Sequence, residues 1–297
     1  MSFTTTNVSR GRHTGEQQPS AYSFGGSTMT VLVSGAETGG TFSLVHIRKR
    51  ADSSTPRHLH DFETEVSYVL EGTLGLETSA GVAHLGTHEW HVLSPQRAHR
   101  VFNDSPSEVR ELLLCVPAIF DKLVATAGEP VAAFSDPRAI TEQAVESIST
   151  HAPNFGVRLF REAPDEPSMS HERTEVERLE AWGGRFEVLA TLGDQDEAIA
   201  LLRFTLRPGG AMPPATLAYR QALYPVAGSV ELSLDGGDWR AMTSAAAASI
   251  APAARYALRN PSDAEATVLI VSTLGMLRLL RSIGGAAPAQ GLPSTLS

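Results

Sequence analysis

The chain reads as an all-β protein that contains one domain twice. Three observations predict this. Short runs rich in Val, Ile, Leu, Phe and Thr recur from Thr28 to Thr273, punctuated by Gly, Asp, Ser and Pro. That is the pattern of a β-sandwich or small barrel. The runs fall into two blocks separated by a stretch of helical period. The second block also repeats the first at a nearly constant offset. A shift of 156 lays Tyr68 on Tyr224, Gly72 on Gly228 and Leu76 on Leu232, and a shift of 157 lays Pro95 on Pro252, Asn103 on Asn260 and Ser105 on Ser262. One extra residue in the second block accounts for the change, so a duplicated domain follows.

The composition bounds the function. A length of 297 residues suits two domains, each large enough to bury a core without staples. A net charge of −9 argues against nucleic acid and anionic lipid as partners. The lone cysteine, Cys115, excludes an intrachain disulfide and a cysteine-based zinc site. The first residues lack an apolar signal core. The late apolar stretch 268–280 is interrupted by Ser272, Thr273, Gly275 and Arg278 and is too short to span a bilayer. A soluble, cytoplasmic protein is expected.

The elements follow in order. Residues 1–20 are polar and read as a flexible arm. Strands are expected at 29–33, 42–47, 66–70, 74–77, 91–93 and 109–116, within a first domain of residues 21–116. Residues 117–154 read as a helical connector. Its first helix opens at Pro117 and ends near Gly128. The second is expected to start at Asp136-Pro137 and carries Ile140, Ala144, Val145 and Ile148 at helical spacing. The charged stretch 161–180 reads as a solvated helix face or a loop. Strands resume at 186–192, 198–206, 223–227, 230–234, 248–250 and 267–273, within a second domain of residues 155–284. A terminal helix is expected at 276–283, and a disordered tail at 285–297.

The chemistry concentrates in the first block. Seven of the ten histidines lie between residues 46 and 99. His58 and His60 alternate on one face of a strand. Glu65 follows after a bend at Asp61-Phe62, and Gly72 marks the next turn. His99, on a strand packed alongside, completes a candidate set of three imidazoles and one carboxylate. That donor set suits a borderline first-row divalent ion and leaves positions open for substrate. His46, His84, His88 and His91 read as structural or exposed, with His88 near Glu89 as an outer supporting residue. Glu63 reads as an exposed turn residue, with a second carboxylate at the site as the alternative. Cys115 reads as a buried, inert thiol.

The spacing His58-x-His60-x4-Glu65-x6-Gly72, followed by Pro95-x3-His99-x3-Asn103, resembles the two motifs of the cupin superfamily. With the duplication, the chain resembles a bicupin: two tandem cupin barrels, each a double-stranded β-helix of jelly-roll type, joined by a short helical connector. The first half is similar to bacterial quercetin 2,3-dioxygenases through Tyr22 to Gly25, Thr38 to Phe42 and Val69 to Gly72. Two departures stand out. Asp52 occupies the place where the first motif usually opens with glycine, and the second motif lacks its glycine and is one residue shorter.

In the second copy the ligand positions become Pro214, Thr216, Gln221 and Tyr256. Proline and a neutral amide cannot replace three imidazoles and an anion around a divalent ion. One metal per chain is therefore expected, in the first half. The second half is expected to be a scaffold, a dimerisation half, or an organic-ligand pocket lined by Tyr219, Gln221, Tyr224 and Tyr256.

The resemblance implies a dioxygenase using Fe2+, with Mn2+, Ni2+, Co2+ or Zn2+ as alternatives. It implies ring cleavage of a flavonol-like aromatic enol or phenol with O2 and loss of carbon monoxide. Glu65 would act as ligand and general base, Tyr22 would contact substrate or the ligating carboxylate, and Phe24 would line the pocket. A homodimer is implied as well. Two other classes remain open: a non-redox cyclase or isomerase of polyketide-like enols, and a non-catalytic binding or regulatory bicupin.

Overall fold

The computed structural model describes residues 12–13, 19–160, 176–193, 198–243 and 247–286. They group into two compact units. The first holds 12–13, 19–160 and 247–249, and the second holds 176–193, 198–243 and 250–286. The first eleven residues, 14–18 and 287–297, expected as arm and tail, lie outside the described residues, as does 161–175. Among the described residues no helix is long and apolar enough to cross a membrane.

In the first unit the larger sheet runs in the order Trp90–Leu93, Thr64–Glu71, Val109–Val116, Ser43–Lys49, Ser27–Val33, Ala21–Phe24, Glu129–Val131. The smaller sheet runs Ser53–Ser54, Arg100–Asn103, Leu74–Thr78, Gly81–Leu85, and Arg57–His60 pairs with Val157–Phe160. Val109–Val116 has its expected bounds, whereas Ser27–Val33, Thr64–Glu71 and the C-terminal end of Ser43–Lys49 run one or two residues past the expected apolar runs. One apolar cluster gathers Val69, Leu74, Leu76, Leu93, Val101 and Val109 from both sheets. A second gathers Phe24, Met29, Val45, Ile47, Leu113 and Cys115 with the helical residues Phe120, Leu123, Val124 and Ile148.

The second unit repeats this plan. Ala266–Thr273 lies between Gln221–Ala227 and Ile199–Leu206, followed by Gly184–Leu192 and Glu177–Ala181. The smaller sheet is Ala211–Thr216, Arg255–Arg259, Val230–Leu234, Arg240–Met242. The terminal helix, Leu274–Ile283, buries Met276, Leu277 and Leu280.

The duplication is legible in hydrogen bonds. Asn103 Nδ2 donates to the carbonyls of Lys49 (3.4 Å), Arg50 (3.0 Å) and Ser107 (2.7 Å), while its Oδ1 accepts from Ser105 N and Oγ. Asn260 Nδ2 donates to Leu206, Arg207 and Ala264, and its Oδ1 accepts from Ser262 N and Oγ. Gly72 and Gly228 match as well. Their φ angles are +88° and +74°, and a Cβ at either would sit 3.0 Å or less from the carbonyl of Glu108 or Glu265. The missing motif glycines change the residue and keep the backbone. Asp52 (φ +50°) and Gln96 (φ +60°) adopt the left-handed conformation, as do Gly209 and Ala253 at the same places in the second copy. Aspartate tolerates that region through its short polar side chain.

Four expectations are corrected. The second connector helix is Glu142–His151, capped by Thr141 Oγ1 accepting from Ala144 N. Asp136 instead pairs with Arg48 Nη2 at 2.8 Å, so it does not start the helix. The segment 157–160, read as part of the second copy, pairs with Arg57–His60 in the first unit. Within the charged stretch, Glu177–Ala181 is a strand on Gly184–Leu192. Gly285 and Ala286, read as tail, extend that sheet by pairing with Glu180 and Leu179.

Two stability predictions follow from this packing. Replacing Asn103 with Ala removes the donor to three carbonyls, one buried and two part-buried, and should cost about 1–3 kcal/mol, read from denaturant unfolding. His46 is 5% exposed, packs edge-on to Phe134, and has its pKa lowered from 6.5 to about 4 by burial and by Arg110 and Arg48. The unfolded chain therefore binds the extra proton between those values. The stabilisation is complete above pH 6.5 and is lost as pH falls toward 4. Its ceiling is about 3 kcal/mol. His46→Leu should flatten that part of the stability–pH curve, measured against wild type between about pH 7 and pH 4.5. An unchanged slope contradicts the assignment.

Candidate metal centre

The four sequence-predicted ligands converge. His58 and His60 project from the same side of Arg57–His60, while Leu59 points away and is buried. On one side this strand is held by Val157–Phe160, with Leu159 opposite His58 and Val157 opposite His60. On the other it meets His99 through a pair of backbone bonds, His58 N to His99 O at 2.9 Å and His99 N to His58 O at 2.8 Å. Glu65 enters from the larger sheet, opposite Cys115. One donor atom from each of His58, His60, Glu65 and His99 lies within 4.8 Å of the others. His60 Nε2 is 3.5 Å from Glu65 Oε1, and His99 Nε2 is 3.4 Å from Glu65 Oε2. Ligands about 2.1 Å from an ion sit about 3.0–3.4 Å apart, so the spacing fits a first-row cation.

The imidazoles are oriented as ligands. His58 Nδ1 donates to Pro56 O at 2.9 Å and His99 Nδ1 donates to Arg97 O at 2.9 Å. His60 Nδ1 faces Glu63 Oε2 at 3.2 Å. A proton committed to Nδ1 leaves Nε2 with a free lone pair aimed inward. His60 Nε2 and His99 Nε2 are buried and have no hydrogen-bond partner, which is costly unless a cation takes them. On this test the residues fit a divalent ion.

The electrostatics agree. Burial alone would push the Glu65 carboxyl up, but the His60, His99 and His58 rings hold it at about 2. The His58 ring is pushed well below 6.5 by burial and by its two neighbouring imidazoles, so it is neutral. At His60 burial is outweighed by Glu65 and Glu63, which raise its pKa. His60, Glu65 and His99 are 2–4% exposed.

Sequence reasoning misread Glu63. It is 2% exposed, not an exposed turn residue. Its Oε1 accepts from the backbone N–H groups of Ile119 (2.9 Å) and Phe120 (3.0 Å), at the start of the helix Phe120–Ala127. The only sequence signal was its place two residues before a ligand. The groups that bury it lie more than fifty residues along the chain. Tyr22 packs on the apolar cluster with Phe24 and Phe120. Phe120 in turn lies edge-on to His60 at 5.8 Å. Cys115 is buried beside Glu63 and Glu65, and burial pushes its thiol well up, as expected of an inert group. His84 pairs with Asp104 at the surface and His88 stacks on Tyr68.

In the second unit Ala215 and Leu217, rather than the expected Pro214 and Thr216, take the places of His58 and His60: Ala215 pairs with Tyr256 as His58 does with His99, and Ala253 N donates to Leu217 O as Gln96 N does to His60 O. Gln221 Oε1 accepts from Tyr256 OH at 2.8 Å and from Ser272 Oγ at 3.2 Å. Gln221, Tyr256 and Ser272 are 0–1% exposed and Tyr224 is 3% exposed, whereas Tyr219 is 54% exposed. Of the four side chains expected to line an organic-ligand pocket, three are buried and Tyr219 stands at the surface. Gln221 and Tyr256, at the places of Glu65 and His99, form a neutral hydrogen-bonded cluster with Ser272, at the place of Cys115.

No family model and no curated protein matches this chain. Its fold does match solved structures of cupin fold. Protein Ylba from E. coli aligns over 91% of this chain and 94% of its own, at a TM-score of 0.58 and 11% identity. The oxalate decarboxylase of Lactobacillus farciminis, solved with formate, aligns over 91% and 87% at 0.56 and 12%. AerE from Microcystis aeruginosa aligns over 89% and 97% at 0.52 and 8%. The chain thus has the cupin fold, in the two-barrel form of the oxalate decarboxylases.

The site makes a direct prediction. His60→Ala should abolish stoichiometric metal binding in metal analysis of the purified protein, whereas Gln221→Ala should leave it at one per chain. Loss of metal in the Gln221 variant would place a ligand where none is expected.

Proposed function

We propose that this chain is a divalent-metal oxygenase that attacks an aromatic enol or phenol, with ring cleavage of a flavonol-like substrate as the specific activity. The observation that carries the metal reading is the convergence of three imidazoles on one ionised carboxylate, with His58 and His99 committed through Nδ1 to backbone carbonyls and His60 Nδ1 facing Glu63 at 3.2 Å. Supporting the oxygenase reading are the donor set of three imidazoles and one carboxylate, which suits Fe2+, and the resemblance of the first half to quercetin dioxygenases. When bound, a divalent ion supplies Lewis acidity toward an enol oxygen and, if redox-active, electrons for O2. His58, His60, Glu65 and His99 would hold it. Glu65 is also positioned to accept the enol proton. The aromatic edge of Phe120, with Phe24 behind it at 5.7 Å, offers an apolar wall. Tyr22, beside that wall, is assigned to substrate contact.

The enclosure favours a second reading. With three ligands nearly inaccessible, a small anion fits more readily than a three-ring flavonol. Oxalate is the substrate named for several of the structural neighbours. In this reading the same residues bind a carboxylate and promote carbon–carbon cleavage or enolate chemistry without net oxygenation.

The decisive experiment follows O2 consumption and carbon monoxide release from flavonols by protein loaded with Fe2+, Mn2+, Co2+, Ni2+ or Zn2+, with oxalate run in parallel. Oxygen uptake with a flavonol under a redox metal is expected. Turnover of oxalate or an enol without oxygen uptake favours the second reading, and no turnover by metal-loaded protein contradicts both. Glu65→Gln should lower turnover by about 10²–10⁴-fold in protein matched for metal content.

A further inference from the structure

We propose that Glu63 is a positioning residue that ties metal loading to the seating of the helix Phe120–Ala127 beside the site. The inference rests on the metal-centre reading and concerns binding rather than turnover. The helix has no local side-chain cap, since its N-cap residue is Ile119. Glu63 supplies that cap from more than fifty residues upstream, taking two otherwise free N–H groups on Oε1. Its other oxygen, Oε2, lies 3.2 Å from His60 Nδ1. The same helix end places Phe120 edge-on against the His60 ring. One buried carboxylate thus joins a ligand to an element distant in sequence.

The other two imidazoles have no such link. His58 and His99 give their Nδ1 protons to the carbonyls of Pro56 and Arg97, each two residues away in the chain. Only His60 depends on a partner whose place is set by another element. A cation on Nε2 requires the His60 proton on Nδ1 and makes that N–H a stronger donor, which draws it into a hydrogen bond with Glu63 Oε2, 3.2 Å away. When the helix is seated, Glu63 is already fixed in place to receive it. When the helix loosens, the carboxylate loses two of its partners and its fixed position. The coupling is reciprocal: metal favours the seated helix to the same degree that the seated helix favours metal.

The test uses Co2+ as probe on the full chain. Its visible spectrum reports binding, and amide hydrogen exchange of residues 119–124 reports the helix. In Glu63→Gln the amide oxygen still accepts from Ile119 and Phe120, but the NH2 group opposes the His60 Nδ1 proton, donor against donor. That variant should keep a thermal midpoint near wild type without metal and bind Co2+ about 10–100-fold more weakly. Co2+ should slow exchange of residues 119–124 in wild type and not in Glu63→Gln at saturation. If Glu63→Gln fails to fold, Phe120→Leu, which loosens the helix end without touching Glu63, should still weaken Co2+ binding severalfold. Wild-type Co2+ affinity in these variants overturns the inference, and so does equal protection of the helix with and without the Glu63 carboxylate. Failure of wild type to bind Co2+ at all would instead overturn the metal-centre reading, and this inference with it.

Discussion

The first unit is organised around a buried cluster of three imidazoles and one carboxylate that could hold a cation. His58 and His99 are fixed through Nδ1 on Pro56 O and Arg97 O, His60 Nδ1 faces Glu63 at 3.2 Å, and all three rings converge on Glu65. Lone pairs and a carboxylate held together out of water are unfavourable unless a positive charge sits among them. The surrounding fold holds the groups in place against that cost. Arg57–His60 is clamped between His99 and Val157–Phe160, and Glu65 is fixed at the head of a central strand.

The second unit shows what the same fold does without that constraint. At the equivalent places Gln221, Tyr256 and Ser272 satisfy one another with neutral hydrogen bonds. Tyr256 contributes a hydroxyl whose pKa burial pushes up, despite the bond to Gln221, so it stays protonated and donates. The Asn103 and Asn260 loops remain superimposable in their bonding. Duplication therefore preserved the scaffold while one copy exchanged its ligands for a self-sufficient core.

The His/Glu cluster and the barrel strands were legible in the sequence because both are local patterns. His58, His60 and Glu65 are fixed by alternation and one bend, and His99 by a turn motif on the adjacent strand. What was not legible depends on contacts between distant residues. Glu63 looks like a turn residue until Ile119 and Phe120 fold back onto it. Asp136 looks like a helix cap until Arg48 claims it. The segment 157–160 looks like the first strand of the second copy, since nothing local reveals that its partner is the ligand strand. The connector is consequently part of the site: Phe120 contacts His60, and Val157–Phe160 backs both ligand histidines.

Anomalous X-ray diffraction from crystals of the metal-loaded protein, collected at the absorption edge of the bound ion, tests the central claim most directly. The account predicts one strong peak per chain, enclosed by His58, His60, Glu65 and His99, with nitrogen and oxygen ligands at about 2.0–2.2 Å. It predicts no peak between Gln221 and Tyr256. A peak at the second place, or ordered metal-free imidazoles bonded to one another in protein equilibrated with excess Fe2+, Mn2+, Co2+, Ni2+ and Zn2+ in turn, would contradict it.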